Sequence, residues 1–319
     1  MKAMFIYKYG SPEVFELEEY SVPHIKDNEL LVKVYGSSVN PVDCAIRQGE
    51  LKSFIRVQLP AVLGVDVSGI VTKVGKSVTQ FAVGDHVYAY IGHNHIGTYA
   101  EFAAIPESYA ALIPSNLNIA HAGVVPFVGL TAYQAFTECV PVKQGMKVLI
   151  NGAGGGVGTI AIQIAKALGA EVTAVCSESK AAIVKRMGAD VVVNYHREDI
   201  FKSAKKFDVI LNCVRGSKVI QWKKLLTNKG KQIVIAANPN QIRYIKLSNL
   251  FSSKKSIIFH VRADGKALKG VSELISAQKI KPIISKTFAL NALIRAHRLF
   301  ETGGVAGKIS IAMNGNPSN

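Results

Sequence analysis

The chain has 319 residues, of which 49% are hydrophobic, and its formal net charge is +16. This length and apolar content predict a large core divided over two domains, and no apolar run is long enough to cross a bilayer as a helix, which argues against a membrane-spanning protein. The basic residues are spread over several helices without interleaved aromatic side chains, so the charge favours a solvated basic surface that attracts an anionic cofactor and argues against a dedicated nucleic-acid site.

Short strands are predicted along the first 120 or so residues, at 30–35, 67–74 and 86–90. Turn signals such as V-N-P and V-G-D separate them, so this part is expected to be a mostly β domain. An H-x-H pair, His93 and His95, follows the third strand. It lacks a third ligand nearby, so a surface loop is favoured over a metal site.

Apolar strands alternate with helices from about residue 147 to residue 261. The predicted strands lie at 148–150, 172–175, 191–195, 207–214, 232–236 and 256–261, and the predicted helices at 159–168, 180–187, 198–204 and 218–226. Continuous apolar strands of this kind are typical of a parallel sheet whose two faces are covered by helices. The pattern predicts a doubly wound parallel sheet of the α/β class.

The most informative stretch is the strand, glycine turn and helix that begin this region, which reads VLINGAGGGVG from residue 148 to residue 158. Glycines let the backbone approach a pyrophosphate closely, and the N–H groups at the start of the following helix can bind that anion. The strict G-x-G-x-x-G string is absent, because Ala153 stands where its first glycine would be. A glycine-rich surface turn is the alternative, but a strand before the turn, a helix after it and a second strand beyond favour dinucleotide binding.

The end of the second strand indicates which dinucleotide is bound. An acidic side chain there binds the ribose hydroxyls of NAD, whereas a 2′-phosphate requires hydroxyls and a cation. This strand ends in Ser177, and Lys180 follows three residues later, so NADPH is favoured. Glu178 lies in the same turn and could take the acidic role, and Lys180 could equally be a solvated lysine at a helix start.

The segment after Arg262 is predicted to form helices at 268–277 and 290–301 and a strand at 308–312. These pieces exceed what a six-stranded nucleotide-binding sheet needs, so they are assigned to the first domain. The predicted division is a mostly β domain at 1–125 and 263–319, with a nucleotide-binding domain at 126–262 inserted into it. Only the last residues, 314–319, are expected to be disordered.

Several strings agree with one family in order and spacing across nearly the whole chain. They are SSVNPVDCAIRQG (37–49), LGVDVSGIV (63–71), VGDHVYAY (83–90), GTYAEF (97–102), PFVGLTAYQA (126–135), the glycine run and GKISI (307–311). The chain resembles the zinc-independent quinone oxidoreductases of the medium-chain dehydrogenase/reductase superfamily. The resemblance implies a GroES-like catalytic domain, a Rossmann domain, a cleft between them, and NADPH-dependent reduction of quinones or α,β-unsaturated carbonyls by hydride transfer.

The resemblance also implies positions for the cofactor and for a partner subunit. A homodimer would form through the edge of the Rossmann sheet, where the strand at 256–261 is apolar. Contacts to NADPH would come from Thr131, from Gly155, Gly156 and Val157 at the glycine turn, and from Ser177, Lys180 and Tyr195 around the 2′-phosphate. The nicotinamide side would be lined by Val214, Phe259 and Val261.

Zinc-dependent relatives of the same superfamily are the natural competitor. A catalytic zinc requires three protein ligands, and here Asn40, Val65 and Phe127 stand at those positions. Asp66 alone cannot hold the ion, and the four-cysteine loop of a structural zinc is missing, so the site is expected to be metal-free. A carbonyl must then be polarised by hydrogen-bond donors, and Asn40 is the first candidate. The alternative is that Asn40 only caps a turn before the proline that follows it.

Other functions stay open at this point. The chain could bind NADPH without useful turnover, as a redox sensor or an RNA-binding relative, or it could serve a larger assembly as its reductase domain. Four scattered cysteines without a C-x-x-C pair, and an N-terminus without a secretory apolar segment, favour the reducing cytoplasm. A small-molecule substrate is expected, and no membrane partner.

Overall fold

The computed structural model describes residues 1–92, 95–235 and 237–313, and it divides into two compact units. Unit 1 comprises Met1–Leu130, Arg262–Ala277 and the segment from Ile284 onward; unit 2 comprises Thr131–Val261 and Gln278–Ile283. The sequence analysis put these divisions at 126 and 263 and did not anticipate the short return to unit 2. The expected disorder at 314–319 lies outside the described residues.

The strands, in chain order, are β1 (Lys2–Ile6), β2 (Phe15–Glu19), β3 (Glu29–Ser38), β4 (Ala61–Val62), β5 (Asp66–Val74), β6 (His86–Tyr90), β7 (Phe102–Pro106), β8 (Ala110–Leu112), β9 (Lys147–Asn151), β10 (Glu171–Cys176), β11 (Val191–Asn194), β12 (Phe207–Asn212), β13 (Leu226–Ile235), β14 (Lys255–Phe259), β15 (Ile284–Ala289) and β16 (Lys308–Ala312). The helices are α1 (Pro41–Arg47), α2 (Ile119–Ala122), α3 (Pro126–Gln134), α4 (Gly156–Ala167), α5 (Glu178–Arg186), α6 (Val219–Lys224), α7 (Pro239–Leu250), α8 (Gly265–Ser276) and α9 (Leu293–Glu301). Among the described residues, none of these helices combines the length and apolar character that a transmembrane span requires.

Unit 1 is built on two mostly antiparallel sheets. One has the order β2-β1-β4, and the other has the order β15-β16-β3-β5-β6-β8, with β7 also pairing with β3. Alternate residues of β3 (Leu30, Val32, Val34) enter a single apolar core, as expected for strands with one buried face. The antiparallel pairing of β16 with β3, in which Ser310 lies opposite Ser38, brings the start of β16 to the end of β3.

Unit 2 is a parallel sheet with the order β11-β10-β9-β12-β13-β14, which confirms the predicted doubly wound α/β class. The strand order reverses between β9 and β12, and the crevice at the carboxyl ends of such neighbouring strands is where ligands bind in open α/β sheets. The apolar residues at the centre of β9 are fully buried, because helices cover both faces.

Two helices of unit 2 differ from the sequence-based expectation. The helix expected at 198–204 is only a 3₁₀ turn, Ile200–Lys202, and α7 was not predicted. α7 begins with a capping box in which Asn238 and Gln241 each accept from the other's backbone N–H at 2.9 Å, followed by Pro239 in the first turn.

The short return at 278–283 is held on unit 2 by one side chain. Gln163 of α4 donates to the Lys281 carbonyl (3.0 Å) and accepts from the Lys281 N–H (2.8 Å). The side-chain amide of Gln163 thus pairs with both the N–H and the carbonyl of Lys281, as the backbone of a neighbouring strand would.

Candidate functional site

The glycine turn between β9 and α4 is packed too closely to admit side chains at two positions. A Cβ on Gly152 would lie 2.9 Å from Val214 Cγ2, and the Gly152 φ of 78° favours glycine independently. A Cβ on Gly158 would lie 2.6 Å from the Cα of Ala153, so the first turn of α4 can approach the turn only without a side chain there.

Gly155, by contrast, leaves its backbone open to a ligand. A Cβ on Gly155 would meet only one atom, the Gly152 carbonyl oxygen at 3.5 Å. Gly155 is the N-cap of α4 and provides no side chain to its N–H groups, and the first turn of α4 contains no acidic residue. A phosphate group fits this arrangement, because uncapped N–H groups and the positive end of the helix dipole bind anions.

Lys180 packs directly on the same turn. A Cβ on Gly154 would lie 2.8 Å from Lys180 Cβ and 2.5 Å from Lys180 Cδ, so the lysine stem occupies the space that the glycine leaves. Burial lowers the pKa of Lys180, and the neighbouring Cys176 opposes that shift. The structure thus brings together Lys180 and the glycine turn, two features that the sequence analysis assigned to one cofactor.

A second cation lies at the end of the neighbouring strand. Arg197 forms an ion pair with Glu178, the acid that could have taken the ribose-binding role. Tyr195, at the end of β11, donates its backbone N–H to the Cys176 carbonyl (3.3 Å), and Ser177 at the end of β10 lies with its Oγ 3.1 Å from Ser179 Oγ. Arg197 was not predicted, although a basic residue shortly after a strand of this sheet was visible in YHRED.

A cavity of about 580 Å³ opens at these strand ends. It is lined by Asn151 of β9, Val175 of β10, Tyr195, Arg197 and Val214, among others. Its position at the switch between β9 and β12 makes it the expected place for a nucleotide.

An amide pair spans the switch point beside this cavity. Asn151 donates to the Asn212 side-chain oxygen (2.9 Å), which also accepts the N–H of Val214 (3.3 Å). These bonds fix the positions of both strand ends.

The remaining predicted cofactor residues lie elsewhere in unit 2. Thr131 is buried in α3, Phe259 ends β14, and Val261 lies two residues further on, half-buried. β14 is the last strand of the sheet, at the opposite side from β11, although its carboxyl end faces the same edge. Their contacts to a nicotinamide stay predictions.

A buried polar network forms the second candidate site, in unit 1. The Asp66 carboxylate accepts from Ser38 Oγ (2.6 Å), from Asn40 Nδ2 (2.9 Å) and from the backbone N–H of Phe127 (2.7 Å). Val65, also fully buried, precedes Asp66. The three positions that were compared with zinc ligands in the sequence, Asn40, Val65 and Phe127, are therefore gathered around Asp66, and none of them supplies a thiolate or an imidazole.

Lys308 supplies a cation to this network. Its ammonium donates to the Val39 carbonyl (2.8 Å) and to Asn40 Oδ1 (2.5 Å), and it lies 3.8 Å from Asp66 Oδ2. Burial lowers the pKa of Lys308, and the negative charge of Asp66 opposes that shift. Lys308 was quoted in GKISI without a role; a lysine at the start of an otherwise apolar strand was the signal that could have found it, because buried lysines are paired.

Asn40 is fully enclosed by these contacts. One hydrogen of its amide goes to Asp66, and the other points to Ser38 Oγ at 3.4 Å. Donation to a substrate oxygen therefore requires that the longer of these two bonds be released. Asn40 is also the N-cap residue of the helix α1, whereas the alternative interpretation had it cap a turn before Pro41.

Asp43 is the least satisfied member of the network. Its Oδ2 accepts the backbone N–H of Asn40 (2.9 Å), but its buried Oδ1 has no hydrogen-bond partner among the described residues. Burial raises the pKa of Asp43 to about 7, and the charge of Asp66 adds to the effect. The carboxyl is consequently neutral over much of the acidic range.

A chain of neutral groups extends from the network. His297 lies with Nδ1 3.5 Å from Cys44 Sγ and Nε2 3.3 Å from the Tyr99 hydroxyl, which donates to the Ser38 carbonyl (3.1 Å). Since the tyrosine proton is used, Nε2 must be the donor and Nδ1 must accept from the thiol. Burial lowers the pKa of His297 to about 3 and raises that of Cys44, so neither group is charged at neutral pH.

The described residues contain no set of side chains that could ligate a metal ion. No group of three His, Cys, Asp or Glu side chains there is arranged to hold a metal ion. His95 packs edge-on against the ring of Tyr109 at 5.9 Å, and His93 lies outside the described residues.

Comparison with known proteins supports both halves of this description. Residues 26–115 match the family model of the alcohol dehydrogenase GroES-like domain, and residues 187–311 match that of the zinc-binding dehydrogenases. The chain is 33% identical to a 2-methylene-furan-3-one reductase of Solanum lycopersicum, over 98% of this chain and 79% of that protein.

Two solved structures have the same fold over nearly their whole length. The quinone oxidoreductase from Coxiella burnetii matches with a TM-score of 0.89 and 31% identity, over 98% of this chain and 99% of that one. The Escherichia coli quinone oxidoreductase complexed with NADPH matches with a TM-score of 0.87 and 25% identity, over 98% of this chain and 100% of that one. The predicted GroES-like and Rossmann domains are thereby confirmed.

Proposed function

The chain belongs to the quinone oxidoreductase family of the medium-chain dehydrogenase/reductase superfamily, and on this basis we propose that it reduces quinones or α,β-unsaturated carbonyls with NADPH and without a metal ion. It is an oxidoreductase with a nicotinamide cofactor. The observation that carries the proposal is the contact of Lys180 with the glycine turn.

The preference for NADPH is supported by the charges at the ends of β10 and β11. A 2′-phosphate at this corner would meet Ser177, Lys180 and Tyr195, which offer hydroxyls and a cation. Glu178, which could bind ribose hydroxyls in an NAD enzyme, is engaged by Arg197. Gly155, Gly156 and Val157 would bind the pyrophosphate through their backbone N–H groups.

The absence of a metal is proposed from the chemistry of the donor set. Asn40, Val65 and Phe127 stand at the ligand positions, and the cation beside Asp66 is already provided by the Lys308 ammonium. A zinc there would have to compete with a lysine for one carboxylate and would find no thiolate or imidazole among its neighbours.

Bound NADPH would supply the hydride, and the protein has to stabilise the negative charge that develops on the substrate oxygen. Asn40 is the proposed donor. Its hydrogen toward Ser38 is the one available for this purpose, because the 3.4 Å bond is the weaker of its two. Lys308, bonded to the Asn40 oxygen, orients the amide and polarises its N–H groups. Thr131, Val214, Phe259 and Val261 are proposed contacts of the cofactor.

Steady-state turnover with a panel of quinones and enones, using NADPH and NADH in parallel, tests the proposal. We expect turnover with both substrate classes, a lower KM for NADPH, and unchanged activity after exhaustive chelation. NADPH binding without turnover would instead support a redox-sensing or RNA-binding role. One tightly held zinc per chain by elemental analysis, with activity lost on its removal, would contradict the metal-free mechanism.

Two further expectations belong to this proposal. β14 ends the sheet of unit 2, and a homodimer that pairs two such edges would cover its unpaired backbone groups. The four cysteines are free thiols, which fits a reducing compartment such as the cytoplasm. Sedimentation of the purified protein tests the first expectation, and cell fractionation tests the second.

A further inference from the structure

We propose that unit 2 docks on the surface of anionic phospholipid bilayers through the outer face of α7. This docking face consists of Arg243, Lys246, Leu247, Leu250 and Phe251. The residues recur at helical spacing, so they share one side of the helix and of the turn that ends it.

The docking face exposes large apolar side chains where a solvated helix presents polar ones. Leu247 is 60% exposed, Leu250 73% and Phe251 86%. The opposite side of α7 is packed normally, since Ile245 is buried in a cluster with Val219 and Val234. The exposed apolar groups are therefore not part of the core of unit 2, and a contiguous patch of this kind marks an interaction surface.

The charge around the docking face is of one sign. The 55 residues from 209 to 263 contain eleven lysines and arginines and no aspartate or glutamate. Arg243 and Lys246 are exposed on the face itself, and Lys254 and Lys255 follow it directly. A basic segment that presents leucine and phenylalanine is complementary to an anionic bilayer, where the cations meet lipid headgroups and the apolar tips enter the acyl boundary. Nucleic acid would satisfy the cations but would leave the two leucines in water.

The turn that carries Phe251 is held firmly in place. Asn249 donates to the Ser256 carbonyl (2.7 Å) and accepts the Ser256 N–H (3.0 Å), and the Lys255 ammonium donates to the Asn249 carbonyl (2.6 Å). From the other side, Lys223 of α6 donates to the Ser248 carbonyl at 3.1 Å. These bonds tie the end of α7 to β14 and α6, so Phe251 is presented from a fixed position.

Docking has a consequence for the substrate, and this step rests on the proposed function. Quinones and enones with long apolar tails partition into bilayers, so a reductase on the bilayer surface meets them at high local concentration. The docking itself does not depend on the reaction. The earlier expectation of no membrane partner considered spanning segments and did not consider binding at the surface.

Co-sedimentation of the full-length protein with vesicles, in the presence of NADPH, tests the docking. We expect binding to vesicles of phosphatidylcholine with phosphatidylserine and little to phosphatidylcholine alone. The Arg243→Ala/Lys246→Ala variant should bind the anionic vesicles about tenfold or more weakly. The control variant Lys185→Ala/Arg186→Ala removes the same charge from the exposed side of α5, which has no large exposed apolar side chain, and should bind nearly as the parent does. Equal losses in both variants would overturn the proposal, because they would reflect net charge alone.

A second measurement tests whether the apolar side chains of the docking face enter the bilayer. Phe251→Trp should show a blue-shifted emission with anionic vesicles, measured against the parent, whose single tryptophan, Trp222, is 5% exposed. The Leu247→Ser/Leu250→Ser/Phe251→Ser variant should lose vesicle binding and keep its turnover with a water-soluble quinone. If the parent does not bind vesicles and these three substitutions instead convert a dimer to monomers, the docking face is covered by a second copy and the proposal is wrong. Absence of turnover in the parent would contradict the proposed function and leave the binding result standing.

Discussion

Lys308 donates its ammonium to the side-chain oxygen of Asn40 across 2.5 Å, although the lysine is only 6% exposed. The same cation lies 3.8 Å from Asp66, and the second acid of the network, Asp43, has a raised pKa. With Asp43 neutral, the positive charge of Lys308 and the negative charge of Asp66 balance within this network. This balance makes the network sensitive to each of its charges.

Removal of the cation should be strongly destabilising. Lys308→Met leaves the buried carboxylate of Asp66 without its counter-charge, and loss of one member of a buried pair costs about 3 to 5 kcal/mol. Urea unfolding measures this. Lys308→Met/Asp66→Asn should recover part of the loss, and the control Lys286→Met, at an exposed lysine of β15, should change little. A double variant less stable than the sum of its single variants would contradict the pairing.

Asp43 should make the free energy of unfolding fall as pH rises. Its folded-state pKa of about 7 exceeds its ordinary value of 3.8, so its contribution is fully present below the unfolded pKa and is lost between these two pH values. The total loss is on the order of 4 kcal/mol. His297 acts in the opposite sense, because its pKa is lowered to about 3. The test therefore compares the free energy of unfolding of Asp43→Asn with that of the parent at several pH values. As pH rises, the variant should become more stable relative to the parent. A difference that does not change with pH would refute the assignment.

The Asn40→Ala variant distinguishes a role of Asn40 in the reaction from a role in stability alone. The variant should lower the melting temperature, because Lys308 and Asp66 each lose a hydrogen bond. If the amide also donates to the substrate, the turnover number should fall, more for an enone than for a quinone, by up to about 2.7 to 4 kcal/mol in activation free energy. Cofactor affinity should be unchanged. A lowered melting temperature with an unaltered turnover number would remove Asn40 from the reaction.

Lys180→Ala should impair NADPH selectively. Charge-assisted hydrogen bonds to a phosphate are worth about 1.5 to 3 kcal/mol, so the KM for NADPH should rise about tenfold or more, while that for NADH stays nearly constant. Lys185→Ala, on the exposed side of the same helix, is the matched control. An equal rise in KM for both cofactors would mean that Lys180 supports the glycine turn and does not bind the 2′-phosphate.

Alanine at Gly158 and alanine at Gly154 should have different effects on stability and on cofactor binding. Alanine at Gly158 would approach the backbone of Ala153 at 2.6 Å, so Gly158→Ala should lower the free energy of unfolding by about 1 to 3 kcal/mol, more than the gain in helix propensity restores. At Gly154 the added methyl would lie 2.5 Å from Lys180 Cδ, which can swing away, and 2.8 Å from Lys180 Cβ, which requires a small shift of α5. Gly154→Ala should therefore lose less stability than Gly158→Ala, whose obstacle is backbone, and should lose more affinity for NADPH. The opposite pattern in melting and binding curves would reverse the roles of the two positions.

Local patterns predicted the nucleotide-binding half of the molecule well. The apolar strand β9, its glycine turn and the end of β10 are contiguous in sequence, and each obeys rules that act within a few residues. α7 was missed although its capping box is readable in NPNQ, because Leu247 and Leu250 lie on its outer face and obscure the amphipathic period.

Contacts between distant parts of the chain escaped sequence reasoning. Lys308 meets Asn40 and Asp66 only because β16 pairs with β3, and no local rule connects those positions. The Arg197 partner of Glu178 was missed for the same reason. Residue types indicated which positions matter, and the topology decided which of them touch.

The pairing of β16 also fixes an order of events during synthesis. β16 lies between β15 and β3, so the large sheet of unit 1 stays open at the end of β3, at residues 36–38, until residues 308–312 leave the ribosome. Unit 2 is complete earlier, once the Lys281 backbone has reached Gln163. A nascent chain thus holds Asp66 without its cation while unit 2 can already fold, and unit 1 is expected to be the last to mature.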